Sequence, residues 1–488
     1  MALTSILSVL AATIIIAFAW LYRVNSAMRA VPRGSLEHSP HRLTEDEIKT
    51  MYDRLSKTPL DFTKLLPPRL ERRYVVVGGS GLVGGDIVLQ LLQRGQSPES
   101  IRIVDFAPLI REEMLEKAYE CDFVKADITS PASVEAAFSK PWPASVAKSP
   151  LTVFHTAAAI RPSERSPVFY ERVRRVNVDG TAIVMAAARA AGADIFIATS
   201  SASIAVTPVS FWSPFRSEPK GCYQLFSEAD FDLPLRPHNQ YFANYAFSKA
   251  EAERLVCGAN EDKFRTGCIR PGNGIYGDKR DLCVGLGLMQ GDVVSWVPQN
   301  IQNFVSARNI SLAHLQFEAA LMRKPMPRCA GRPFLITDPG PPISFADYYN
   351  LCSVLSATYF MVTYPPPVLL LILAHAIEAY CLTLAYLPFL KTVFGLKEPS
   401  GLIENMQPSI FSVCSATIAD DSAARASVED GGLGYRGGCT TPEGMVDLMV
   451  QWNREYKAGT LKVSTPITGS KPFRDRVAQM GLVPAGLI

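Results

Sequence analysis

Residues 74–84 read YVVVGGSGLVG. A β-rich run ends in Gly78, glycines recur at Gly81 and Gly84, and the chain from Asp86 to Arg94 is compatible with a helix. That pattern predicts a strand, a tight turn and a helix start. A turn without Cβ atoms lets backbone N–H groups and a helix N-terminus meet a pyrophosphate. An ordinary glycine-rich turn is the alternative, and the position between strand and helix speaks against it.

Further strand-like runs follow at 101–105 (IRIVD), 151–156 (LTVFHT) and 195–200 (IFIATS), separated by helix-compatible stretches such as 180–191. Strands alternating with helices predict βαβ units, hence an α/β fold with a Rossmann-type, doubly wound parallel sheet. Asp105 stands about 20 residues past Gly84, where a carboxylate accepts hydrogen bonds from the adenosine ribose hydroxyls. A 2′-phosphate would be repelled there, and Phe106 follows rather than an arginine, so NAD is expected and NADP disfavoured. Asp127 reads equally well as a partner for the adenine amino group or as a cap of the next helix.

The composition sets limits. In 488 residues, 49 Lys+Arg face 46 Asp+Glu, a net charge of +3, which argues against a nucleic-acid partner. Hydrophobic residues make up 48% and can form a large core. The 10 cysteines show no C-x-x-C pair and no metal-ligand spacing with histidine, so they read as reduced core thiols rather than a disulfide framework, and no metal is expected. His38, His41, His238 and His314 are assigned no role.

Residues 2–22 carry no charge and as a helix would span roughly 31 Å, about a bilayer core. No basic residue precedes the run and no small-x-small site follows it, so an anchor is expected over a cleaved signal peptide. Arg23, Arg29 and Arg33 then place the bulk of the chain in the cytosol, with a single N-terminal pass. Residues 23–70 form a linker with a short amphipathic helix, opened by the capping box Thr44-x-x-Glu47. A second apolar run, 368–390, contains His375 and Glu378; a monotopic or re-entrant segment is expected, with a buried helix of the globular unit as the alternative. The expected organisation is an anchor at 1–22, the linker at 23–70, a dinucleotide-binding catalytic domain at 71–350, the membrane-associated segment at 351–399, and a smaller C-terminal substrate-binding region at 400–488.

Tyr245 and Lys249 stand at i and i+4, on one face of a helix. With 17 tyrosines the spacing alone is a fair coincidence, but it follows the serine-rich strand end at 199–201. A nearby ammonium stabilises a phenolate, which would make Tyr245 a proton acceptor near neutral pH. A serine hydroxyl could then hold the substrate oxygen.

The glycine triplet, FHTAA at 154–158, VNVDGT at 176–181, TSS at 199–201, Tyr245 with Lys249, and RPGNGIYG at 270–277 occur in the order of the extended short-chain dehydrogenases. Over about residues 73–350 the chain resembles the 3β-hydroxysteroid dehydrogenase branch, which includes the sterol 4α-carboxylate 3-dehydrogenases. The resemblance resumes at 416–434 and 441–456. It implies Tyr245 as catalytic base, Lys249 as the residue that holds the ribose and lowers the tyrosine pKa, Ser201 as ligand of the substrate oxygen with Ser200 and Ser203 within reach of that role, and Asn177 as a helix residue shaping the site. Leu82 and Val83 of the glycine turn, Ile128 after Asp127, and Ala157 complete the implied cofactor contacts. Val77, Leu82 and the segment 304–309 depart from the usual family pattern.

The activity so implied is NAD-dependent oxidation of the 3β-hydroxyl of a sterol or triterpenoid, with loss of CO₂ if a 4-carboxylate is present. A lipid bilayer, the endoplasmic reticulum and a homodimer are its expected setting. The alternatives are a nucleotide-sugar epimerase or dehydratase, and a non-catalytic NAD-binding scaffold.

Overall fold

Tyr74, Val75, Val76 and Val77 are all buried, as a strand must be when helices cover both faces of its sheet. The computed structural model describes residues 2–461, and the remainder of the 400–488 region lies outside the described residues. The strands of the central sheet are β1 (Arg73–Val77), β2 (Ile101–Asp105), β3 (Asp122–Lys125), β4 (Leu151–His155), β5 (Ala193–Thr199), β6 (Arg265–Pro271) and β7 (Pro333–Ile336). Their order is β7-β6-β5-β4-β1-β2-β3, with every pair parallel. The order reverses between β1 and β4, and such switch points open a crevice beyond the carboxyl ends of the strands.

The helices include α1 (Ala2–Met28), α2 (Glu45–Lys57), α3 (Leu82–Gln93), α4 (Gly180–Ala190), α5 (Asn244–Gly258), α6 (Ala307–Leu321), α7 (Pro367–Tyr386) and α8 (Thr441–Lys457). Alternation along β1 sends Tyr74 and Val76 into a core with Ile87 and Leu91 of α3 and Ile310 and Phe317 of α6. Val75 and Val77 point the other way, against Val184 and Ala188 of α4 and Val256 of α5. Each fully buried aliphatic side chain in these layers is worth about 1.5–3 kcal/mol. The 10 cysteines are all free.

The linker expectation needs correction. Thr44 does cap α2, accepting from Glu47 N while the Glu47 carboxylate accepts from Thr44 N at 2.8 Å. Yet Ile48 and Leu55 of α2 are buried with Met445, Met449 and Trp452 of α8, so α2 is part of the folded body. The sequence shows its apolar face but not the partner that covers it.

Helices α1 and α7 are both long and apolar enough to cross a membrane. They meet at one end: Val24 and Met28 of α1 are buried with Val368, Leu371 and Ala374 of α7 and with Phe411. Along α7 a stripe through Leu371, Ala374, Glu378 and Cys381 is buried, whereas Leu369, Ile372, Leu373 and Tyr380 are exposed. The chain then returns to the body. Ala416–Ala419 pairs in parallel with Tyr223–Phe226, in a four-stranded sheet completed by Ile301–Gln302 and Ile343–Ser344.

Candidate active site

The turn after β1 has no room for side chains. Gly78 sits at φ +83°, and a Cβ on it would lie 2.5 Å from Ala157 N. A Cβ on Gly84 would lie 2.3 Å from Gly78 O. Gly81 is the N-cap of α3 and offers no side chain, so the first N–H groups of the helix, at Leu82 and Val83, have no intrahelical partner. This bare, glycine-lined helix N-terminus fits the pyrophosphate of a dinucleotide.

Beside it, at the end of β2, the Asp105 carboxylate accepts from Ser80 N and from Ala107 N, each at 3.0 Å. A carboxylate has about four lone-pair sites, so two backbone donors hold it in place and leave capacity for two ribose hydroxyls. Phe106 points outward, exposed.

Asp127 is also exposed, and its Oδ1 accepts from Thr129 N at 2.9 Å and from Thr129 Oγ1 at 2.8 Å. These bonds hold its carboxyl below the usual range. The capping alternative is corrected, because Ser130 caps the next helix by accepting from Ser133 N. Ile128 is buried, and its side chain packs where a Cβ on Gly180 would stand 3.0 Å away. It therefore lies under the start of α4. Ala157 lies against Gly78.

Helix α5 runs past the end of β5 and presents Tyr245, Lys249 and Glu253 on one stripe. Tyr245 is partly buried, with the Ser201 hydroxyl near enough to favour its phenolate. Lys249 Nζ donates to Thr199 O at 2.8 Å. Ser200 Oγ donates to Glu253 Oε2 at 2.7 Å. Successive turns of one helix thus engage three consecutive residues at one strand end. Ser200 is committed to Glu253 and Ser203 is bonded to Ser201 Oγ at 2.8 Å, which leaves Ser201 as the serine beside the phenol.

Burial pushes the Tyr245 phenol up to about 12, opposed by the Ser201 bond. It pushes the Lys249 amine down to about 8. Spacing at i, i+4 brings the two residues to one face, and the Thr199 carbonyl takes one of the three ammonium donors.

Asn177 lies in a π-helical turn, Arg175–Asp179, ahead of α4. Its Oδ1 accepts from Ala159 N at 2.7 Å, and its Nδ2 donates to Ala159 O at 3.0 Å and Ser248 Oγ at 2.9 Å. Ser248 Oγ donates to Tyr245 O at 2.8 Å. Asn177 therefore fastens the loop after β4 to the turn of α5 that carries Tyr245.

Sequence reasoning missed the Thr199 carbonyl, a backbone atom that no residue type announces. It also missed Glu253, whose two oxygens receive Arg270 Nε and a terminal guanidinium nitrogen at 2.8 and 2.6 Å. The signal was present, since Glu253 is i+4 from Lys249.

Comparison with known proteins follows the same lines. Residues 75–358 match the 3-beta hydroxysteroid dehydrogenase/isomerase family. The chain is 28% identical over 315 residues to the sterol-4-alpha-carboxylate 3-dehydrogenase (decarboxylating) of Schizosaccharomyces pombe, covering 63% of this chain and 82% of that one. It is 30% identical over 210 residues to the 3 beta-hydroxysteroid dehydrogenase/Delta 5-->4-isomerase of Mycobacterium tuberculosis, covering 42% and 48%. Among solved structures, the UDP-glucose 4-epimerase of Thermotoga maritima superposes with a TM-score of 0.51 at 16% identity, over 79% of this chain and 99% of that one, a likeness of fold. A match that takes in more than half of the chain and runs from β1 through β7 settles the family: the protein belongs to the 3-beta hydroxysteroid dehydrogenase/isomerase family and is an NAD-dependent oxidoreductase.

Proposed function

We propose that this oxidoreductase oxidises the 3β-hydroxyl of a membrane-dissolved sterol or triterpenoid, with NAD in preference to NADP. The observation that carries the reading is the placement of Tyr245 and Lys249 on one face of α5 at the end of β5, with Lys249 bonded to Thr199 O and the Ser201 hydroxyl near the phenol. Ser203 N donates to Ser201 Oγ at 3.2 Å, so that oxygen already has a donor and its own proton can serve the substrate oxygen, and Tyr245 takes the hydroxyl proton. Lys249, tethered at Thr199 O, has an N–H donor left for the ribose. Bound NAD supplies the acceptor for the hydride that leaves C3. Asp105 favours a ribose with both hydroxyls free over one that carries a 2′-phosphate.

If the substrate bears a 4-carboxylate, the 3-ketone formed is a β-keto acid and loses CO₂ without a further group from the protein. The apolar helices α1 and α7 support a substrate that arrives through a bilayer, with the protein anchored in the endoplasmic reticulum and its sheet on the cytosolic side. The test is to incubate the full chain in lipid with a 4-carboxy-3β-sterol and NAD. NADH, the 3-ketone and CO₂ are expected together; a chain that binds NAD and the sterol yet releases no NADH overturns the reading.

A further inference from the structure

His155 ends β4 at the wall of a cavity of about 10 Å³, which it shares with Thr199, Ser200, Lys249, Glu253 and Cys268. Its side chain is buried and packs on Phe196 with 6.0 Å between ring centroids. Its Nε2 lies 2.9 Å from Thr181 Oγ1. The Thr181 hydroxyl in turn lies 2.6 Å from Asn177 O, which can only accept. The single hydroxyl proton is therefore spent on Asn177 O, and Thr181 Oγ1 must accept from His155 Nε2–H. The tautomer is fixed, and Nδ1 is a bare lone pair. It is buried and has no partner among the described residues.

Lys249 borders the same cavity with donors to spare. An ammonium has three N–H groups, and among the described residues the only acceptor for them is Thr199 O. Burial and the nearby Lys249 charge hold His155 down at about 3, so the imidazole is neutral and serves as an acceptor.

We propose that His155 is a positioning residue for Lys249, acting through one water held in this cavity that accepts from Nζ and donates to Nδ1. The space matches about one water. Asn177, Thr181, His155, the water and Lys249 then form one hydrogen-bonded chain. Two of the ammonium donors are tied to Thr199 O and to the water, and the third is left for the cofactor cleft. An acceptor on the ammonium favours its charged form and opposes burial. The other groups facing Lys249 are Glu253 on its own helix and Cys268 on β6, with Arg270 and Cys257 behind them.

This deepens the dehydrogenase reading, and its test is separate from turnover. The full chain, free of cofactor, is labelled with ¹³Cε-lysine, and the Lys249 resonance is assigned by its loss in Lys249→Met. His155→Phe keeps a ring and deletes the lone pair; its Lys249 titration midpoint is expected about one pH unit below wild type, a tenfold shift. His155→Asn, whose Oδ1 stands near the place of Nδ1, restores most of the difference. His155→Leu replaces the phenylalanine variant if that one does not fold. A lone-pair-free variant that titrates with wild type, or an asparagine variant shifted as far as the phenylalanine one, overturns the proposal. Failure here leaves the alcohol chemistry standing, and a wrong substrate leaves this titration standing.

Discussion

Lys249 Nζ and Thr199 O are 2.8 Å apart, a contact between the catalytic helix and the last residue of β5. It means that the ammonium is anchored by the sheet rather than by the phenol one turn away. The amine is held near 8 by burial, against 10.5 when exposed.

The first prediction concerns the cost of that burial. Below about pH 8 folded and unfolded chains both carry the proton, and the folded one bears the whole penalty. Between about 8 and 10.5 the unfolded chain binds the proton more tightly, so stability rises with pH through that window. Lys249→Met is expected to be more stable than wild type at pH 7, by up to about 3 kcal/mol, while losing activity. The gap closes toward pH 10.5. Urea unfolding at pH 7 and pH 10 checks it; a variant less stable at both sinks the idea.

Tyr245 sets the second. A phenol held near 12 is protonated at neutral pH, so kcat/KM for alcohol oxidation is expected to climb between pH 6 and 8. The climb flattens above about 8, where Lys249 loses its charge. Tyr245→Phe loses roughly 10²–10⁴-fold in turnover. It still binds NAD, as titration of the full chain will show. Turnover retained in that variant removes Tyr245 from the chemistry.

The third lies behind the site. Arg270 and Glu253 are each 2% exposed at the side chain and bonded through two nitrogen–oxygen pairs. Removing one charge leaves the other buried, at a cost of about 3–5 kcal/mol. Glu253→Gln is therefore expected to lower the thermal midpoint by on the order of 5–10 °C. Asp230→Asn, at the half-open end of the same guanidinium, costs less. Equal midpoints for wild type and Glu253→Gln contradict this.

Arg270 also shows why part of the fold was hidden. The runs at 74–77, 101–105 and 151–155 are rich in Val, Ile, Leu and Phe, and each is a strand in the structure. Strand β6 contains a full charge at Arg270 that looks like a surface residue until Glu253 and Asp230, both distant in sequence, are brought to it. The glycine turn and Asp105 were legible because their chemistry is local to one βαβ unit. The direction of Lys249 was not, since spacing fixes a helix face but not the carbonyl across from it. Among the three serines, the choice rested on Glu253 taking Ser200, again a tertiary contact.

Asn177 gives the fourth prediction. Its amide makes three hydrogen bonds, two to Ala159 and one to Ser248. Asn177→Ala leaves buried backbone groups at Ala159 unpaired, at about 1–3 kcal/mol of stability. The loop after β4 and the first turn of α5 then lose their common fastening, and a displacement of about 1 Å at Tyr245 is enough for on the order of a 10²-fold fall in kcat. Ser248→Ala, which cuts only one of the three bonds, is expected to fall less than tenfold. A steady-state comparison of the two variants decides; equal losses contradict the fastening.

The last prediction is about cofactor choice. Asp105 can greet a ribose because Ser80 N and Ala107 N hold one of its oxygens each. Asp105→Asn turns one oxygen into an NH₂ group that faces one of those N–H donors, so the side chain must rotate or leave a donor unpaired. Charged hydrogen bonds of this kind are worth about 1.5–3 kcal/mol, and NAD affinity is expected to fall roughly 10–100-fold. NADP binding changes in the opposite sense, because the carboxylate that repels a 2′-phosphate is gone. The ratio of the two dissociation constants, measured by calorimetry on the full chain, therefore narrows from both ends. Unchanged NAD affinity in Asp105→Asn would show that the ribose is held elsewhere, and with it the preference for NAD would lose its physical basis.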